Sequence, residues 1–216
     1  MLELGLKVLI AYGLGSIVGA LAIGQLRGVD IRTMGSGNAG GTNALRTQGF
    51  GFAAATVIID VGKGWLAAGV LPGLGIPGVI TDPVVSRDWL AVSCAAAAVV
   101  GHVWPLWHDF RGGKGGATFA GALLALAPML LAVAIGAWLL VAMLSGFVGL
   151  ATVMAAGAAA LAAGWLPHES WALSAFTIAM VSLIAFAHRG NLARMRAGTE
   201  PRMEKFWLLR PRDRAR

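Results

Sequence analysis

The sequence predicts an all-α integral membrane protein, because its composition and its long apolar runs are typical of chains that fold in lipid. Of its 216 residues, 57% are hydrophobic and 12% are charged, which is about half the charged fraction of ordinary soluble domains. Apolar runs cover residues 8–24, 50–71, 89–103, 117–166 and 171–187. They lack the alternation of a barrel strand, so the lipid-spanning backbone is expected to be helical. We expect one transmembrane domain over residues 1–216, without a separate soluble domain.

Positive charge between the runs gives the expected topology, since loops rich in Lys and Arg usually remain in the cytoplasm. The loops at 27–46 and 111–114 carry such residues and are placed inside. The segment 72–88, rich in Gly and Pro, is placed outside. The basic tail at about 189–216 returns to the cytoplasm, where its charge suits a surface of anionic lipid.

The number of spans follows from parity and length. Residues 117–187 must begin and end inside, and four crossings of about 17 residues fit them. The predicted breaks lie near 128–136, 145–149 and 167–170. The first run, 8–24, is expected to be one retained helix, because no basic cluster of a signal peptide precedes it. The expected protein therefore has seven transmembrane helices, with its N-terminus outside and its C-terminus in the cytoplasm.

Three polar loops, at 35–46, 111–118 and 188–200, interrupt the apolar sequence. Each combines glycine with a cation or a hydroxyl, a composition typical of backbone shaped around phosphate. All three fall on the predicted cytoplasmic side, so loops that are distant in sequence could form one site.

The first loop is a candidate anion site. Its successive glycines can turn backbone N–H groups towards an anion, and Arg46 adds a planar guanidinium suited to two phosphate oxygens. The structural alternative is a flexible loop whose glycines only permit turning. The candidate residues are Ser36, Gly37, Asn38, Thr42, Asn43 and Arg46.

The second loop only partly resembles a nucleotide-binding P-loop. His108 stands where that template needs glycine, and Gly115 stands where it needs Ser or Thr. Lys114 is still a candidate phosphate ligand, because it lies between glycines and just before a predicted helix, whose start favours anions. The candidates are Gly112, Gly113, Lys114, Gly115, Gly116 and Thr118.

Histidines and an intramembrane charge pair complete the set of candidates. His188 ends an apolar run, with Asn191 one turn later. A histidine at such a surface can orient a hydroxyl, accept its proton or bind phosphate. His102 ends another run and is the competing candidate. Asp60 and Lys63 share one helix face, and we expect them either to support the site as a pair or to contact substrate.

Matching residues occur in order along the chain. They are Gly35, Ser36, Gly37, Asn38, Gly40, Thr42, Asn43, Arg46, Asp60, Lys63, Gly64, Gly101, His102, Pro105, Gly112, Gly113, Lys114, Gly115, Ala117, Thr118, His188, Arg189, Asn191, Gly198 and Glu200. This set resembles the three signatures, and the second helix, of the bacterial acyl-phosphate-dependent glycerol-3-phosphate acyltransferases. Four positions depart from the family pattern: Ala39, Gly41, Gly116 and Gly190 stand where proline, alanine, valine and glutamate are usual.

The resemblance implies a seven-span enzyme of the bacterial inner membrane with its active site on the cytoplasmic face. An acyl group would pass from a long-chain acyl phosphate to the 1-hydroxyl of glycerol 3-phosphate, giving lysophosphatidate and inorganic phosphate for phospholipid synthesis. No cofactor, metal or acyl-CoA is implied. Arg46 and Lys114 would bind glycerol 3-phosphate, with Asn191 nearby, and Ser36 and His188 would orient the attacking hydroxyl.

The resemblance also places the donor, with its phosphate against Thr42 and the N–H groups of Gly112, Gly113 and Gly116. Direct transfer is favoured over an acyl-Ser36 intermediate, because no third triad member is apparent. The expected partners are the two substrates and membrane lipid, with no nucleic acid and no obligate protein partner. The alternative is a phosphate or organic-anion transporter, which should place its charges near the bilayer midplane, whereas most charges here lie towards one face.

Overall fold

The computed structural model describes residues 1–165, 171–204 and 207–209, and within those ranges it contains helices and no strand. The α-helices are α1 (Leu2–Gly15), α2 (Gly19–Leu26), α3 (Gly41–Gln48), α4 (Phe50–Trp65), α5 (Arg87–Val103), α6 (Gly116–Leu126), α7 (Pro128–Ser145), α8 (Val148–Ala163), α9 (Trp171–Ala187) and α10 (Arg189–Arg196). The predicted all-α class is confirmed for the described residues.

Several of these helices are suited to crossing a membrane. Phe50–Gly73, which extends α4, Arg87–His108, which extends α5, and α7 are each long and apolar enough. The bent pairs α1–α2 and α9–α10 satisfy the same criterion when each pair is taken together, while α6 and α8 are apolar but shorter. By length and composition, the described residues hold three to five candidate spans. The predicted total of seven requires α6 and α8 to cross as well.

The sequence predicted one continuous helix over the first apolar run, and the structure shows that this prediction was wrong. α1 ends at Gly15, and α2 begins at Gly19 after a bend of 50°. Broken helix ends in an apolar environment need partners for their backbone groups. Lys63 Nζ donates to the carbonyl oxygens of Gly15 and Ile17, both at 2.8 Å. Asp60 Oδ1 accepts from the N–H of Gly19 at 3.0 Å, so the charge pair in α4 stabilises both ends of the break.

The later breaks lie close to where the sequence placed them. α6 and α7 are separated at Ala127, one residue before the predicted interval, because Pro128 suits the first turn of a helix. α7 ends at Ser145, and Gly146 follows with a φ of 73°, a left-handed conformation that glycine adopts without strain. The break at 145–149 is therefore confirmed. The break at 167–170 lies outside the described residues.

Close helix crossings at glycine bring the polar loops together. A Cβ on Gly121 of α6 would lie 1.9 Å from a carbonyl oxygen of α4, and one on Gly64 of α4 would lie 2.1 Å from a carbonyl oxygen of α6. α1 and α5 approach each other in the same way at Gly15 and Gly101. Small residues permit such approaches in membrane bundles. The first crossing holds the start of α6 beside α4, and the second holds the end of α5 beside the end of α1.

Candidate active site

A cavity of about 380 Å³ lies where the three polar loops meet. Its polar wall contains most of the residues that the sequence singled out. They are Ser36, Asn38, Thr42, Asn43 and Arg46 from the first loop, Lys114, Gly115 and Gly116 from the second, His188 and Asn191 from the third, and Asp60 and His102 from the helices beneath. Side chains as far apart in sequence as Ser36 and Asn191 therefore share one cavity.

Five predicted residues do not reach the cavity wall, namely Gly37, Lys63, Gly112, Gly113 and Thr118. The N–H groups of Gly112 and Gly113 already donate to the carbonyl oxygens of Val103 and His102, at 3.2 and 3.0 Å. These two N–H groups therefore fasten the second loop to the end of α5, and the predicted role in holding the donor phosphate stays a prediction. Thr118 is fully buried, where α6 crosses α4.

Two helices begin at the cavity wall. α3 starts at Gly41 after Gly40, and α6 starts at Gly116 after Gly115. The first N–H groups of a helix have no partner within the helix, and its dipole favours an anion there. Gly115 has a φ of 81°, which glycine adopts without strain as the chain turns into α6. The cavity thus has two helix ends suited to binding an anion.

Asn43 shapes the first loop. Its Oδ1 accepts from the N–H of Ser36 at 3.0 Å. Its Nδ2 donates to the carbonyl oxygens of Ile31 and Met34, at 3.2 and 3.0 Å. The side chain is buried, and these bonds use both amide protons of its side chain. Asn43 therefore acts mainly by holding Ser36 at the cavity.

A chain of hydrogen bonds joins the second loop to the third. Lys114 Nζ donates to Oδ1 of Asn191. Nδ2 of Asn191 donates to Glu200 Oε1 at 2.5 Å, and Glu200 Oε2 accepts from Arg194 Nε at 2.7 Å. The side-chain amide of Asn191 has only one satisfactory orientation, because its oxygen must face the ammonium of Lys114 and its nitrogen the carboxylate of Glu200. Glu200 lines the cavity. It belongs to the third motif, yet it was not among the predicted site residues.

The ammonium of Lys114 loses its proton more readily here than in water, because its side chain is partly buried. Burial lowers the pKa of its ammonium to about 8, and the positive charge of Arg194 acts in the same direction, while Glu200 opposes them. A bound anion would stabilise the protonated form. Lys114 is thus suited to bind phosphate at neutral pH.

The chain beyond α10 returns to the cavity. Pro201 lines it, and the guanidinium of Arg46 donates to the carbonyl oxygen of Pro201 at 3.3 Å. Further on, the N–H of Met203 donates to the carbonyl oxygen of Gly146 at 2.8 Å. This segment therefore packs across the turn between α7 and α8 and closes one side of the site. No periodicity in the sequence predicts such a return.

His188 has a defined tautomer when neutral. Its Nδ1 lies 2.8 Å from the carbonyl oxygen of Ile184, and a carbonyl can only accept, so Nδ1 carries the proton. In the neutral ring, Nε2 is then the acceptor. The imidazole is buried. His188 can therefore accept a hydrogen bond from a hydroxyl in the cavity.

His102 belongs to a buried cluster with the charge pair of α4. Its Nδ1 lies 2.8 Å from Lys63 Nζ and 3.3 Å from Asp60 Oδ1, and the lysine and aspartate are 3.0 Å apart. Together with the capping of α1 and α2, these contacts support the predicted role of the pair as a foundation of the site. Within the described ranges, no group of three or more His, Cys, Asp or Glu side chains could hold a metal ion.

An apolar limb extends from the polar chamber between α4, α6, α7 and α8. Its wall includes Val57, Val61, Phe119, Ala120, Leu123, Leu131, Ala134, Ile135, Trp138, Val148, Gly149, Thr152, Ala155 and Ala156. Along α8 the lining residues run from Val148 to Ala156, about 12 Å at 1.5 Å per residue. A ligand with an anionic head group in the polar chamber and a hydrocarbon chain in the apolar limb would match this shape.

Comparison with known proteins decides the family. The family model for glycerol-3-phosphate acyltransferase matches residues 5–198. The chain belongs to the glycerol-3-phosphate acyltransferase family. Among the acyltransferases it resembles, glycerol-3-phosphate acyltransferase 2 of Moorella thermoacetica is 39% identical over 199 residues, covering 92% of this chain and 96% of the relative. The enzyme of Thermosynechococcus vestitus is 40% identical over 204 residues, covering 93% and 95%.

Solved acyltransferase structures share the fold. PlsY (YgiH), an integral membrane glycerol 3-phosphate acyltransferase, matches in its glycerol 3-phosphate form with a TM-score of 0.79 and 30% identity, over 92% of this chain and 94% of that one. Its lysophosphatidic acid form matches with a TM-score of 0.77 and 31% identity, over the same shares. The predictions of a helical membrane protein and of a glycerol-3-phosphate acyltransferase are confirmed.

Proposed function

We propose that this acyltransferase moves the acyl group of a long-chain acyl phosphate to the 1-hydroxyl of glycerol 3-phosphate, giving lysophosphatidate and inorganic phosphate. The observation that carries the proposal is one cavity in which a chamber with two cationic side chains and two helix N-termini joins an apolar limb. Both substrates carry phosphate, and only the donor carries a hydrocarbon chain. Solved forms of PlsY with glycerol 3-phosphate and with lysophosphatidic acid support the proposed acceptor and the proposed product.

Lys114 and Arg46 are assigned to the phosphate of glycerol 3-phosphate. Lys114 provides a partly buried ammonium oriented by Asn191. Arg46 is exposed, and its single hydrogen bond to Pro201 leaves most of its five donors for a ligand. Asn191 lies between Lys114 and Glu200, so it can adjust the position of the ammonium as the phosphate binds.

The donor phosphate is assigned to the start of α6, with Thr42 beside it at the start of α3. Of the three N–H groups that the sequence assigned to this phosphate, we keep that of Gly116, which lines the cavity. Those of Gly112 and Gly113 already donate to backbone carbonyl oxygens. The acyl chain then enters the apolar limb directly, because Gly116 of the polar wall lies against Thr152 of the limb. This arrangement places the reactive carbonyl carbon at their junction.

The reaction is a direct substitution at the acyl carbon. The 1-hydroxyl oxygen forms a bond to that carbon, the bond from the carbon to the phosphate oxygen breaks, and phosphate leaves with the electron pair. Ser36 and Nε2 of His188 orient the hydroxyl, and its proton passes to the departing phosphate. Since the donor is already activated, positioning and charge stabilisation supply the catalysis.

An acyl-Ser36 intermediate is the rival route. A nucleophilic serine needs a base within hydrogen-bond reach, and no hydrogen bond joins Ser36 Oγ to a histidine or lysine among the described residues. Measurable turnover by Ser36→Ala would therefore exclude the covalent route, whereas a trapped acyl-serine in the wild type would overturn direct transfer.

We place the enzyme in the bacterial inner membrane with the cavity facing the cytoplasm. The chamber is built from the three loops that carry Arg and Lys, and the positive-inside rule puts such loops in the cytoplasm. Glycerol 3-phosphate would then enter from water, while the donor would enter from lipid along the apolar limb.

The test uses purified protein in detergent or lipidic mesophase, supplied with glycerol 3-phosphate and palmitoyl phosphate without CoA. Phosphate release and lysophosphatidate are followed together by mass spectrometry. Formation of both products, lost in Lys114→Ala and Arg46→Ala, would support the proposal. Arg111→Ala is the matched control, since Arg111 is an exposed cation of the second loop that does not line the cavity.

Other outcomes would redirect the assignment. Phosphate release without lysophosphatidate would mean hydrolysis, or an acceptor other than glycerol 3-phosphate. Absence of any reaction from folded protein would contradict the proposed chemistry and favour an assay of anion transport in vesicles.

A further inference from the structure

Trp138 occupies an unusual place for a membrane tryptophan. It lies in the middle of α7, an 18-residue helix from Pro128 to Ser145, whereas tryptophans usually lie at the two membrane surfaces. Several large neighbours on the same helix, including Leu139 and Leu140, are exposed on the outside of the bundle. Trp138 instead lines the cavity, so interfacial anchoring does not account for it.

The indole is held in one orientation. Its Nε1 donates to Thr152 Oγ1 at 3.2 Å, and Oγ1 donates in turn to the carbonyl oxygen of Val148 at 2.9 Å. The hydroxyl proton is thus used within α8, and the hydroxyl oxygen satisfies the indole. A buried indole N–H needs such a partner. Any shift of the ring away from Thr152 would leave that group unpaired in an apolar environment.

This fixed ring lies near the polar end of the apolar limb. A Cβ added to Gly116 would lie 2.8 Å from Cγ2 of Thr152, so the threonine that holds the indole touches the first residue of α6. Other lining residues lie deeper: Leu131 is seven residues from Trp138 along α7, about 10 Å at 1.5 Å per residue. The indole therefore faces the part of the limb closest to the donor phosphate.

We propose that Trp138, held by Thr152, is a specificity-determining residue that selects straight acyl chains over chains branched next to the carbonyl. The inference rests on the proposed function, which places the donor carbonyl beside Gly116. Small residues such as Ala120 and Gly149 share the wall, whose aromatic side chains among the described residues are Phe119 and Trp138. Of these two, the indole is the one tethered to Thr152, beside the start of α6. A methyl branch could enter only by displacing the ring from Thr152.

The experiment compares three donors with the purified enzyme: hexadecanoyl, 2-methylhexadecanoyl and 15-methylhexadecanoyl phosphate. The wild type should favour the straight donor over the 2-methyl donor by about tenfold or more in kcat/KM, the usual effect of one extra carbon in a tight apolar pocket. Trp138→Ala should reduce this preference by about fivefold or more. It should leave the ratio for the 15-methyl donor unchanged, because that branch lies far from the ring.

A branched carbonyl is intrinsically less reactive, but this effect cancels when the kcat/KM ratio of straight to branched donor is compared between variants. Leu139→Ala is the matched control, since this neighbouring side chain is exposed and does not line the cavity, and it should preserve the wild-type preference. Thr152→Val keeps the shape of the threonine but removes the tether, and should reduce the preference part of the way. This variant tests the same inference if Trp138→Ala does not fold.

An unchanged 2-methyl preference in both Trp138→Ala and Thr152→Val would overturn the inference. So would a change confined to the 15-methyl donor, which would place the ring at the far end of the chain. Failure of the proposed function is distinguishable, because the wild type would then form no lysophosphatidate even from the straight donor.

Discussion

Glycerol 3-phosphate binding should weaken above pH 8, because Lys114 loses its charge there. Burial lowers the pKa of this ammonium to about 8, and the nearby charge of Arg194 adds to the effect. Only the protonated amine attracts a phosphate dianion. The attraction is therefore fully present well below pH 8 and is lost as the pH rises through the pKa.

The size of the effect follows from that pKa. With a pKa of about 8, about nine-tenths of the free enzyme carries the ammonium at pH 7 and about one-tenth at pH 9. The KM for glycerol 3-phosphate should therefore be about tenfold higher at pH 9 than at pH 7. The phosphate itself, with a second pKa of about 6, is already mostly dianionic across this range. Bound phosphate favours the charged lysine, so kcat at saturation should change less than KM.

The assay measures the KM for glycerol 3-phosphate at pH 7, 8 and 9 with saturating palmitoyl phosphate, after subtraction of donor hydrolysis without enzyme. Lys114→Arg is the decisive comparison, because a guanidinium stays protonated throughout. Whatever its absolute KM, this variant should lose the alkaline rise. A rise of the same size in Lys114→Arg would show that another group titrates and that the reasoning about Lys114 is wrong.

Three further predictions concern stability and the support of the site. Asp60→Asn leaves the buried ammonium of Lys63 without its carboxylate and should lower the free energy of unfolding by about 3–5 kcal/mol. The double variant with Lys63→Met should lose less than the sum of the two single losses. Thermal unfolding in detergent measures both, and simple additivity would refute the coupling. Gly121→Ala should lower Tm clearly, because its Cβ would lie 1.9 Å from a backbone oxygen of α4. Gly62→Ala should not, because its Cβ would have no neighbouring atom within 4 Å. Equal losses of Tm would show that the crossing is not tight. Glu200→Gln should raise the KM for glycerol 3-phosphate more than it lowers kcat, since the charged partner that orients the amide of the third loop is lost, and an unaltered KM would count against this role.

Composition was enough to predict the helical membrane class, because lipid leaves few alternatives for the backbone. The bend in the first run was missed for a physical reason. Asp60 and Lys63 are recognisable as a pair from their spacing, but their backbone partners Gly19 and Gly15 lie 41 and 48 residues away in sequence. Hydrogen bonds of that range leave no local pattern, so the break is visible only when α4 packs against it.

The site shows the same division between local and long-range information. The motifs predicted that Ser36, Lys114 and His188 would meet, and they share one cavity. Glycine content could not distinguish the residue that lines the cavity, Gly116, from one whose N–H closes the loop, Gly113. Glu200 was missed because its importance depends on contacts with two side chains of α10, which only the folded chain brings together.

The proposed reaction requires two phosphate groups in one cavity, yet its wall has only two cationic side chains among the described residues, Arg46 and Lys114. A further cation buried in the cavity would add a cost of desolvation before any substrate had bound. Helix ends avoid most of that cost, because their N–H groups are fixed partial charges that the fold already orients. The glycines that start α3 and α6 therefore complement the cations: side-chain charge can hold the acceptor phosphate from water, while backbone N–H groups hold the donor phosphate at the entrance to the apolar limb.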